Sequence, residues 1–184
     1  EGIKYISPIL KIRQDMDLHT NIRPCKSYFG NRLNYRDDID ITIIRENTEG
    51  LYSGVEFLPV PDEVFSVLKN HNTNMNRFVQ HSLNDIAIST RICTRKGCRS
   101  IVHQAFEYAK KNNKKSVTLV DKPNVLRETG QLMSEEARKI AKEYPGINFS
   151  EANMDAMCMW MVKNPEEYDV LVAENMFGDI LSDQ

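Results

Sequence analysis

The sequence lacks a long apolar run, a zinc-type cysteine pattern and a recognisable signal peptide. A membrane-spanning helix needs roughly 20 consecutive apolar residues, and no stretch of this 184-residue chain approaches that length. The four cysteines form no Cys-x-x-Cys pair, so their spacing indicates neither a zinc site nor a disulfide framework. We therefore expect reduced cysteines, no membrane partner, and a location in the cytoplasm or an organelle matrix.

An excess of charge of one sign is also missing. Twenty-four Lys and Arg oppose 26 Asp and Glu, and the net charge of −2 gives no electrostatic reason to expect a nucleic-acid partner. The charged and hydrophobic fractions, 27% and 41%, are ordinary for a globular protein. The length fits one domain or slightly more, which is enough to bury a core without disulfides.

An acidic pair near the end of the chain is the most informative feature that is present. Asp179 and Asp183 are four residues apart and follow an apolar stretch, residues 168–174, that reads as a strand. If a helix begins near Gly178, both carboxylates lie on one face of it. A hard divalent cation such as Mg²⁺ or Mn²⁺ would relieve their repulsion. Two unrelated acids on a solvated helix face are the alternative.

The order of elements in the second half of the chain predicts an α/β fold. Helical patterns cover residues 97–112, 132–144 and 155–163, with Ser134 favouring the first turn of the second helix. Strand patterns cover residues 116–120, 147–151 and 168–174, so that helices and strands alternate. Such alternation is typical of a parallel sheet covered by helices.

The first half of the chain is less regular. Residues 39–45 predict a buried strand that runs into a polar turn at 46–50. Residues 56–80 contain two prolines and an Asn-rich patch, and we expect a loop or arm with a short helix near residues 64–68. The apolar alternation at residues 86–94 predicts an antiparallel strand.

Several charged and polar side chains stand near predicted strand ends. Arg13, Arg23 and Arg45 have guanidinium groups that match carboxylates in a two-point geometry, so together they suggest a polycarboxylate ligand. Tyr52 and Lys122 follow strand exits and would suit an acid–base pair. Each of these residues taken alone is more often an ordinary surface side chain.

Four segments in combination resemble a known family. They are residues 12–24 (IRQDMDLHTNIRP), 44–52 (IRENTEGLY), 121–127 (DKPNVLR) and 174–183 (ENMFGDILSD). Their order and spacing resemble the metal-dependent β-decarboxylating dehydrogenases, which include isocitrate, 3-isopropylmalate, homoisocitrate and tartrate dehydrogenases. The resemblance implies the α/β fold of that family, with NAD or NADP and Mg²⁺ or Mn²⁺ as cofactors.

The resemblance also implies which residues would bind the substrate. Arg13, Arg23 and Arg45 match the three arginines that hold the carboxylates of a malate-like substrate or a related tricarboxylate. Asn124 matches an asparagine beside the catalytic lysine. Ser7 stands where the family reads the group that distinguishes one substrate from another.

The catalytic and metal-binding residues follow from the same comparison. Tyr52 matches the tyrosine that protonates the enol after decarboxylation, and Lys122 the lysine of the base step. Asp155, Asp179 and Asp183 match the three carboxylates around the metal ion. In this family Lys122 and Asp155 would serve the active site of the partner subunit, which implies a homodimer with shared sites.

The domain organisation implied by the family divides this chain into four parts. Residues 1–18 would end the large nucleotide domain, and residues 19–51 would begin the small domain. Residues 52–85 would form an arm or clasp, and residues 86–184 would complete the small domain. The family's adenine-binding loop has no counterpart in the sequence, so we expect the middle of a longer polypeptide, inactive alone and with unknown cofactor-binding residues.

The sequence leaves several substrates of the family as alternatives. Isocitrate enzymes show Ser followed two residues later by Asn, and this chain has Ser7 but Ile9, an apolar residue that would suit 3-isopropylmalate. Residues 121–124 and 155–160 look most like isocitrate dehydrogenases, and we favour isocitrate over 3-isopropylmalate, homoisocitrate and tartrate. A non-catalytic regulatory subunit is a further alternative, although such subunits usually lose some of the catalytic residues that are retained here.

Overall fold

Helices and strands alternate through most of the chain. A computed structural model describes residues 8–184, apart from the side chains of Leu10 and Gln14. The elements in chain order are α1 (Pro8–Asp15), β1 (Thr20–Lys26), β2 (Asp40–Glu46), β3 (Glu56–Phe57), α2 (Asp62–His71), β4 (Ile88–Ser89), α3 (Arg95–Lys111), β5 (Ser116–Asp121), α4 (Arg127–Ala141), β6 (Asn148–Asn153), α5 (Met154–Lys163), β7 (Val170–Ala173) and α6 (Asn175–Asp183).

A five-stranded sheet in the order β1-β2-β7-β5-β6 forms the centre of the fold. Strands β2, β7, β5 and β6 are parallel, and β1 pairs antiparallel with β2 at one edge. The register places Arg45 of β2 and Val120 of β5 on either side of Ala173 of β7. The carboxyl ends of four strands therefore meet at one edge of the sheet, the usual place for ligands in such folds.

Helices cover both faces of this sheet. Ile44 and Val172 point into a core formed with α3 and α4. Their neighbours Ile43 and Leu171 point the other way, into a core formed with α5 and α6. Because successive side chains of a strand alternate between faces, β2 and β7 must be apolar at nearly every position. The predicted α/β class is confirmed. In residues 8–184, no helix is long and apolar enough to cross a membrane.

The antiparallel strand predicted at residues 86–94 is wrong over most of its length. Only Ile88 and Ser89 form a strand, opposite Phe57 and Glu56 of β3. Prolines follow β3 almost at once, and a proline has no N–H to continue a ladder. Farther along, Ile92 makes a single antiparallel bridge with Gly50.

Several other boundaries differ from the predictions for physical reasons. Helix α4 begins at Arg127, five residues earlier than predicted, and Ser134 lies within it and donates its hydroxyl to Glu151 instead of capping the first turn. Helix α2 is longer than the short helix expected in the arm. Strand β1 lies in the arginine segment, for which no strand was predicted, and it tolerates Pro24 because it is an edge strand.

Helix α6 begins at Asn175 and not near Gly178. The carboxylate of Glu174 caps it by accepting a hydrogen bond from the Phe177 N–H at 3.0 Å. Gly178 therefore lies inside the helix, where its lack of a side chain allows a close approach to Arg45. A Cβ atom at position 178 would lie 2.7 Å from Arg45 Cγ and 2.8 Å from Arg45 Cβ.

This close approach generates a stability prediction. We expect Gly178→Ala to destabilise the full-length protein by about 1–3 kcal/mol through overpacking, although Ala is favoured over Gly inside a helix by about 1 kcal/mol. The free energy of unfolding from urea titration measures the effect.

The matched control is Gly146→Ala, because a Cβ atom at position 146 meets nothing within 4 Å. We expect the control to change stability by less than about 0.5 kcal/mol. Equal effects at the two positions would contradict the proposed packing constraint.

Candidate functional site

The candidate site lies at the carboxyl end of the parallel sheet. Arg45 is near the end of β2, and Asp179 is in the helix that follows β7. Lys122 follows β5, and Asp155 lies in the first turn of the helix after β6. The four residues come from four neighbouring strands, so the topology alone places them along one edge.

Arg45 is the most deeply buried charged side chain of the site. Its side chain is 2% exposed. Its Nε and Nη2 atoms donate to Asn175 Oδ1 at 3.1 and 2.7 Å, and its Nη1 atom pairs with Asp179. Burial lowers the pKa of Arg45, and the positive charges of Arg23 and Arg13 act in the same direction against the attraction of Asp179. The site therefore concentrates positive charge in a region with little water.

Three side chains converge on the carboxylate of Asp179. Arg45 forms an ion pair with it, Arg23 Nη1 lies 3.1 Å from Oδ1, and the Tyr52 hydroxyl donates to Oδ2 at 2.9 Å. Partial burial acts to raise the pKa of Asp179, but the hydrogen bond from Tyr52 and the charges of Arg45 and Arg23 outweigh it and lower the pKa. Asp179 is therefore ionised at neutral pH.

The Tyr52 hydroxyl is directed at the carboxylate of Asp179. It lies in a short 3-10 helix, Leu51–Ser53, and its ring lies 5.3 Å from the Arg45 guanidinium carbon. Burial and the hydrogen bond to Asp179 raise the pKa of Tyr52. The phenol is thus held protonated beside two arginines.

Arg23 joins the acidic pair of α6. Its Nη1 atom is 3.1 Å from Asp179 Oδ1 and 3.6 Å from Asp183 Oδ1, and it also contacts the Ser182 hydroxyl. One guanidinium nitrogen reaches both aspartates, so the two carboxylates share a face of the helix, as their spacing predicts. Asp183 remains largely exposed.

The donor set fits a divalent cation only in part within one chain. Asp179 and Asp183 offer adjacent carboxylate oxygens of the kind that Mg²⁺ and Mn²⁺ prefer. Asp155 lies beyond β5, on the far side from β7, and the described residues contain no group of three or more potential ligands placed to hold a metal ion. A third carboxylate would have to come from elsewhere.

Lys122 and Asp155 form a separate pair. Lys122 Nζ lies 2.5 Å from Asp155 Oδ1, and this hydrogen bond is the main cause of the lowered pKa of Asp155. The side chain of Asp155 is 69% exposed and that of Lys122 24%. Asn124 is also exposed in the loop that follows Lys122. These three residues follow β5 and β6, whereas the cluster around Asp179 lies at β2 and β7.

Arg13 lies in the last turn of α1 and lines a cleft of about 360 Å³ together with Ile9, Ile12 and Asn47. Its charge reaches Arg45, whose pKa it lowers.

Ser7, predicted to recognise the distinguishing group of the substrate, lies outside the described residues. Of the predicted site residues, the structure thus brings together Arg23, Arg45, Tyr52, Asp179 and Asp183.

A layer of buried polar groups under the site was not predicted. The Glu46 carboxylate accepts hydrogen bonds from the N–H groups of Thr48 and Glu49, which shapes the turn before Tyr52. Glu49 in turn accepts from the N–H of Thr94 at 2.7 Å, which ties this turn to the start of α3. The two acids of a polar turn are a weak signal for this role, because such residues are commonly solvated.

A second set of buried charged side chains lies at the end of β7. Arg91 Nη2 lies 3.2 Å from Asp121 Oδ1, and Arg91 Nε lies 3.8 Å from Glu174 Oε2. Burial raises the pKa of Glu174, and the charge of Arg91 opposes that rise. A Cβ atom at Gly50, where φ is +76°, would lie 2.5 Å from Glu174 Oε2. Nothing in the local sequence around Arg91 signals this role.

Comparison with known proteins identifies the family of this chain. The sequence profile described as "Isocitrate/isopropylmalate dehydrogenase" matches residues 1–184. The chain belongs to this family. The resemblance read from the four sequence segments is therefore confirmed.

Individual relatives of the family are named for different activities. A homoisocitrate dehydrogenase of Methanocaldococcus jannaschii is 40% identical over 189 residues, covering 98% of this chain and 47% of that protein. A probable mitochondrial NAD isocitrate dehydrogenase alpha subunit of Caenorhabditis elegans is 39% identical over 174 residues, covering 95% and 42%. The crystal structure of isocitrate dehydrogenase from Methylococcus capsulatus has a TM-score of 0.82 and 40% identity, covering 99% and 48%. The chain thus spans less than half the length of these family members.

The ion pairs of Asp179 predict a pH-dependent stability effect. We expect Asp179→Asn to lower the free energy of unfolding at neutral pH by about 1–3 kcal/mol, because buried Arg45 loses its charged partner. The pKa of Asp179 is lowered in the folded state, so its contribution is present above its unfolded pKa of about 4 and is lost as the pH falls through the folded value. The difference between wild type and variant should therefore shrink below about pH 4.

Urea unfolding of the full-length protein between neutral and acid pH, with divalent cations chelated, provides the measurement. Asp85→Asn, at an exposed position before β4, is the matched charge control and should leave neutral-pH stability almost unchanged. A difference for Asp179→Asn that stays constant with pH would contradict the ion-pair assignment.

Proposed function

We propose that this chain is the substrate- and metal-binding part of a NAD(P)-dependent dehydrogenase that oxidatively decarboxylates a malate-type 2-hydroxy acid. Isocitrate, converted to 2-oxoglutarate and CO₂, is the substrate that we favour. One observation carries the proposal: Arg23, Arg45 and the Tyr52 hydroxyl all converge on the carboxylate of Asp179. Two cations and a proton donor around one carboxylate are the groups needed to hold an acid and protonate a neighbouring carbon.

The arginines would bind and orient the substrate. Arg23 and Arg45 already hold a carboxylate, and Arg13 adds a third positive charge within reach of Arg45. Fixing a malate-like acid through two carboxylates would hold its hydroxyl-bearing carbon in a single orientation. Asn124, and Ser7 by family resemblance, are the further substrate contacts that we propose.

The proton transfers are assigned to Tyr52 and Lys122. Tyr52 keeps its proton because its pKa is raised, so it can deliver the proton to carbon after CO₂ leaves. Lys122 is proposed for the base step, which removes the proton of the substrate hydroxyl. A divalent cation held by Asp179 and Asp183 would supply stabilisation of negative charge, and NAD or NADP would supply the hydride acceptor.

The separation of Asp155 from Asp179 supports a shared site in a homodimer. Asp179 and Asp183 of one subunit would hold the cation together with Asp155 of the partner, and Lys122 would act across the same interface. In this arrangement residues 52–85 are the clasp, residues 19–51 and 86–184 the small domain, and residues 1–18 the end of the large domain. A location in the cytoplasm or an organelle matrix remains part of the proposal.

The choice of substrate generates the first functional prediction. We expect the full-length protein, with Mg²⁺ or Mn²⁺, to reduce NAD or NADP with isocitrate faster than with 3-isopropylmalate, homoisocitrate or tartrate. Absorbance at 340 nm measures the rates, and chelation of the cation should abolish them.

The alternative outcomes point to specific residues. Preference for 3-isopropylmalate would assign the specificity to apolar Ile9, and preference for homoisocitrate or tartrate would likewise replace isocitrate. Activity that persists after complete chelation would contradict the metal assignment. No activity with any of the four acids would favour a regulatory subunit and refute the proposed catalytic function.

Subunit mixing tests the shared site. We expect Tyr52→Phe to lower turnover by about 10²–10⁴-fold and Lys122→Ala to be similarly impaired. A heterodimer of the two variants contains one doubly damaged site and one intact site, because the two residues of each site come from different chains. Co-refolding of equal amounts should therefore restore about a quarter of wild-type activity.

The control for subunit mixing is the same experiment with Tyr52→Phe and Asp179→Asn. Both residues belong to the same cluster of one chain, so each heterodimer site keeps one defect and activity should not return. Failure of Tyr52→Phe and Lys122→Ala to complement one another in a stable dimer would place all these residues in a single-chain site.

A further inference from the structure

Asn175 is fully buried at the start of α6 and contacts the most buried charge of the site. Its amide oxygen accepts from Arg45 Nε at 3.1 Å and from Arg45 Nη2 at 2.7 Å, and its amide nitrogen donates to the Glu49 carbonyl at 3.3 Å. We infer that Asn175 is a positioning residue that fixes the Arg45 guanidinium through a neutral acceptor and so leaves its charge for a substrate carboxylate. This inference rests on the proposed function.

The orientation of the amide is fixed by its two neighbours. The Glu49 carbonyl can only accept a hydrogen bond, and a guanidinium can only donate. The NH₂ group of Asn175 must therefore face Glu49, and its oxygen must face Arg45. In a flipped amide, the NH₂ group would face the N–H donors of Arg45 and the oxygen would face the Glu49 carbonyl. The contact therefore defines a single geometry for the guanidinium plane.

The remaining donors of Arg45 suit a carboxylate. A guanidinium has five N–H donors, of which Asn175 accepts two and Asp179 accepts one. One donor remains on each of the terminal nitrogens Nη1 and Nη2. Two donors on adjacent terminal nitrogens can pair with the two oxygens of a carboxylate.

A neutral acceptor matters because of the charges already present. The Asp179 carboxylate already pairs with Arg45. A second carboxylate at position 175 would place two negative charges against the single positive charge of the guanidinium. Glu174, the neighbouring acid, is directed instead to the Phe177 N–H and toward Arg91. The amide thus fixes Arg45 without cancelling the attraction for an anionic substrate.

The same side chain also links Arg45 to the proton donor. Glu49, whose carbonyl accepts from Asn175, lies in the turn that leads to Tyr52. Loss of the amide would therefore loosen both the substrate clamp and the approach of the phenol. The first effect appears as weaker substrate binding and the second as slower turnover.

A double-mutant cycle in the full-length enzyme tests the inference. We expect Asn175→Ala to raise KM for the hydroxy acid about 10–100-fold, from the loss of hydrogen bonds to a charged group, with a smaller fall in kcat. Asn175→Ala in an Arg45→Ala background should add almost nothing to KM, because Asn175 acts through Arg45. The affinity for D-malate, measured by titration calorimetry as a turnover-independent probe, should follow the same pattern.

Asn175→Asp tests whether the neutral amide is needed at this position. The isosteric carboxylate keeps an acceptor for Arg45, but it adds a negative charge and cannot donate to the Glu49 carbonyl. We therefore expect that it does not restore the KM of wild type. Asn112→Ala is the matched control, since the Asn112 amide also donates to a backbone carbonyl, that of Tyr108 at 2.8 Å, at the opposite end of the sheet. We expect the control to leave KM unchanged.

Two results would overturn the inference in an active wild-type enzyme. One is additive losses for Asn175→Ala and Arg45→Ala, which would show a purely structural role. The other is wild-type KM for Asn175→Asp, which would show that a neutral group is not needed. A wild-type protein that is folded but inert toward every hydroxy acid tested would instead overturn the proposed function, and this inference with it.

Discussion

A single buried cation organises the candidate site. Arg45 stands at the end of β2 with almost no exposure, and an unpaired charge there would be strongly destabilising. Asn175 and Asp179, both in α6, supply its partners. The relative positions of α6, β2 and the turn before Tyr52 therefore depend on the hydrogen bonds and the ion pair that this one guanidinium requires.

The sheet provides the frame in which this contact is possible. Four parallel strands end at the same edge, and helices on both faces bury the alternating side chains of β2 and β7. The strand order then separates two sets of polar residues. The cluster around Asp179 lies at β2 and β7, whereas Lys122 and Asp155 lie at β5 and β6. The two sets therefore lie at different pairs of strands along the same edge.

The sequence predicted those parts of the structure that depend on local pattern. Alternating helices and strands from residue 97 onward were predictable from apolar periodicity, as was the shared face of Asp179 and Asp183. The strand at residues 86–94 was not, because its length depends on a partner that is interrupted by prolines. The start of α6 was also missed, because Glu174 looked like the end of a strand and serves as a helix cap.

The site was only partly predictable for a similar reason. Arg23, Arg45 and Tyr52 were identified through their resemblance to a family, and the structure brings them to Asp179. Asn175, Arg91 and Glu174 were missed because their importance comes from burial and long-range contact, which a single sequence does not display. Asn175 contacts Arg45 across 130 positions of the chain.

The contact between Gly178 and Arg45 has an evolutionary consequence. No side chain fits between the backbone of α6 and the stem of Arg45, so a larger residue at position 178 would displace the arginine. A substitution at either position therefore changes the packing at the other, and a lineage that keeps the cation is expected to favour the glycine. Selection on anion recognition would thereby act on a residue that has no functional group of its own.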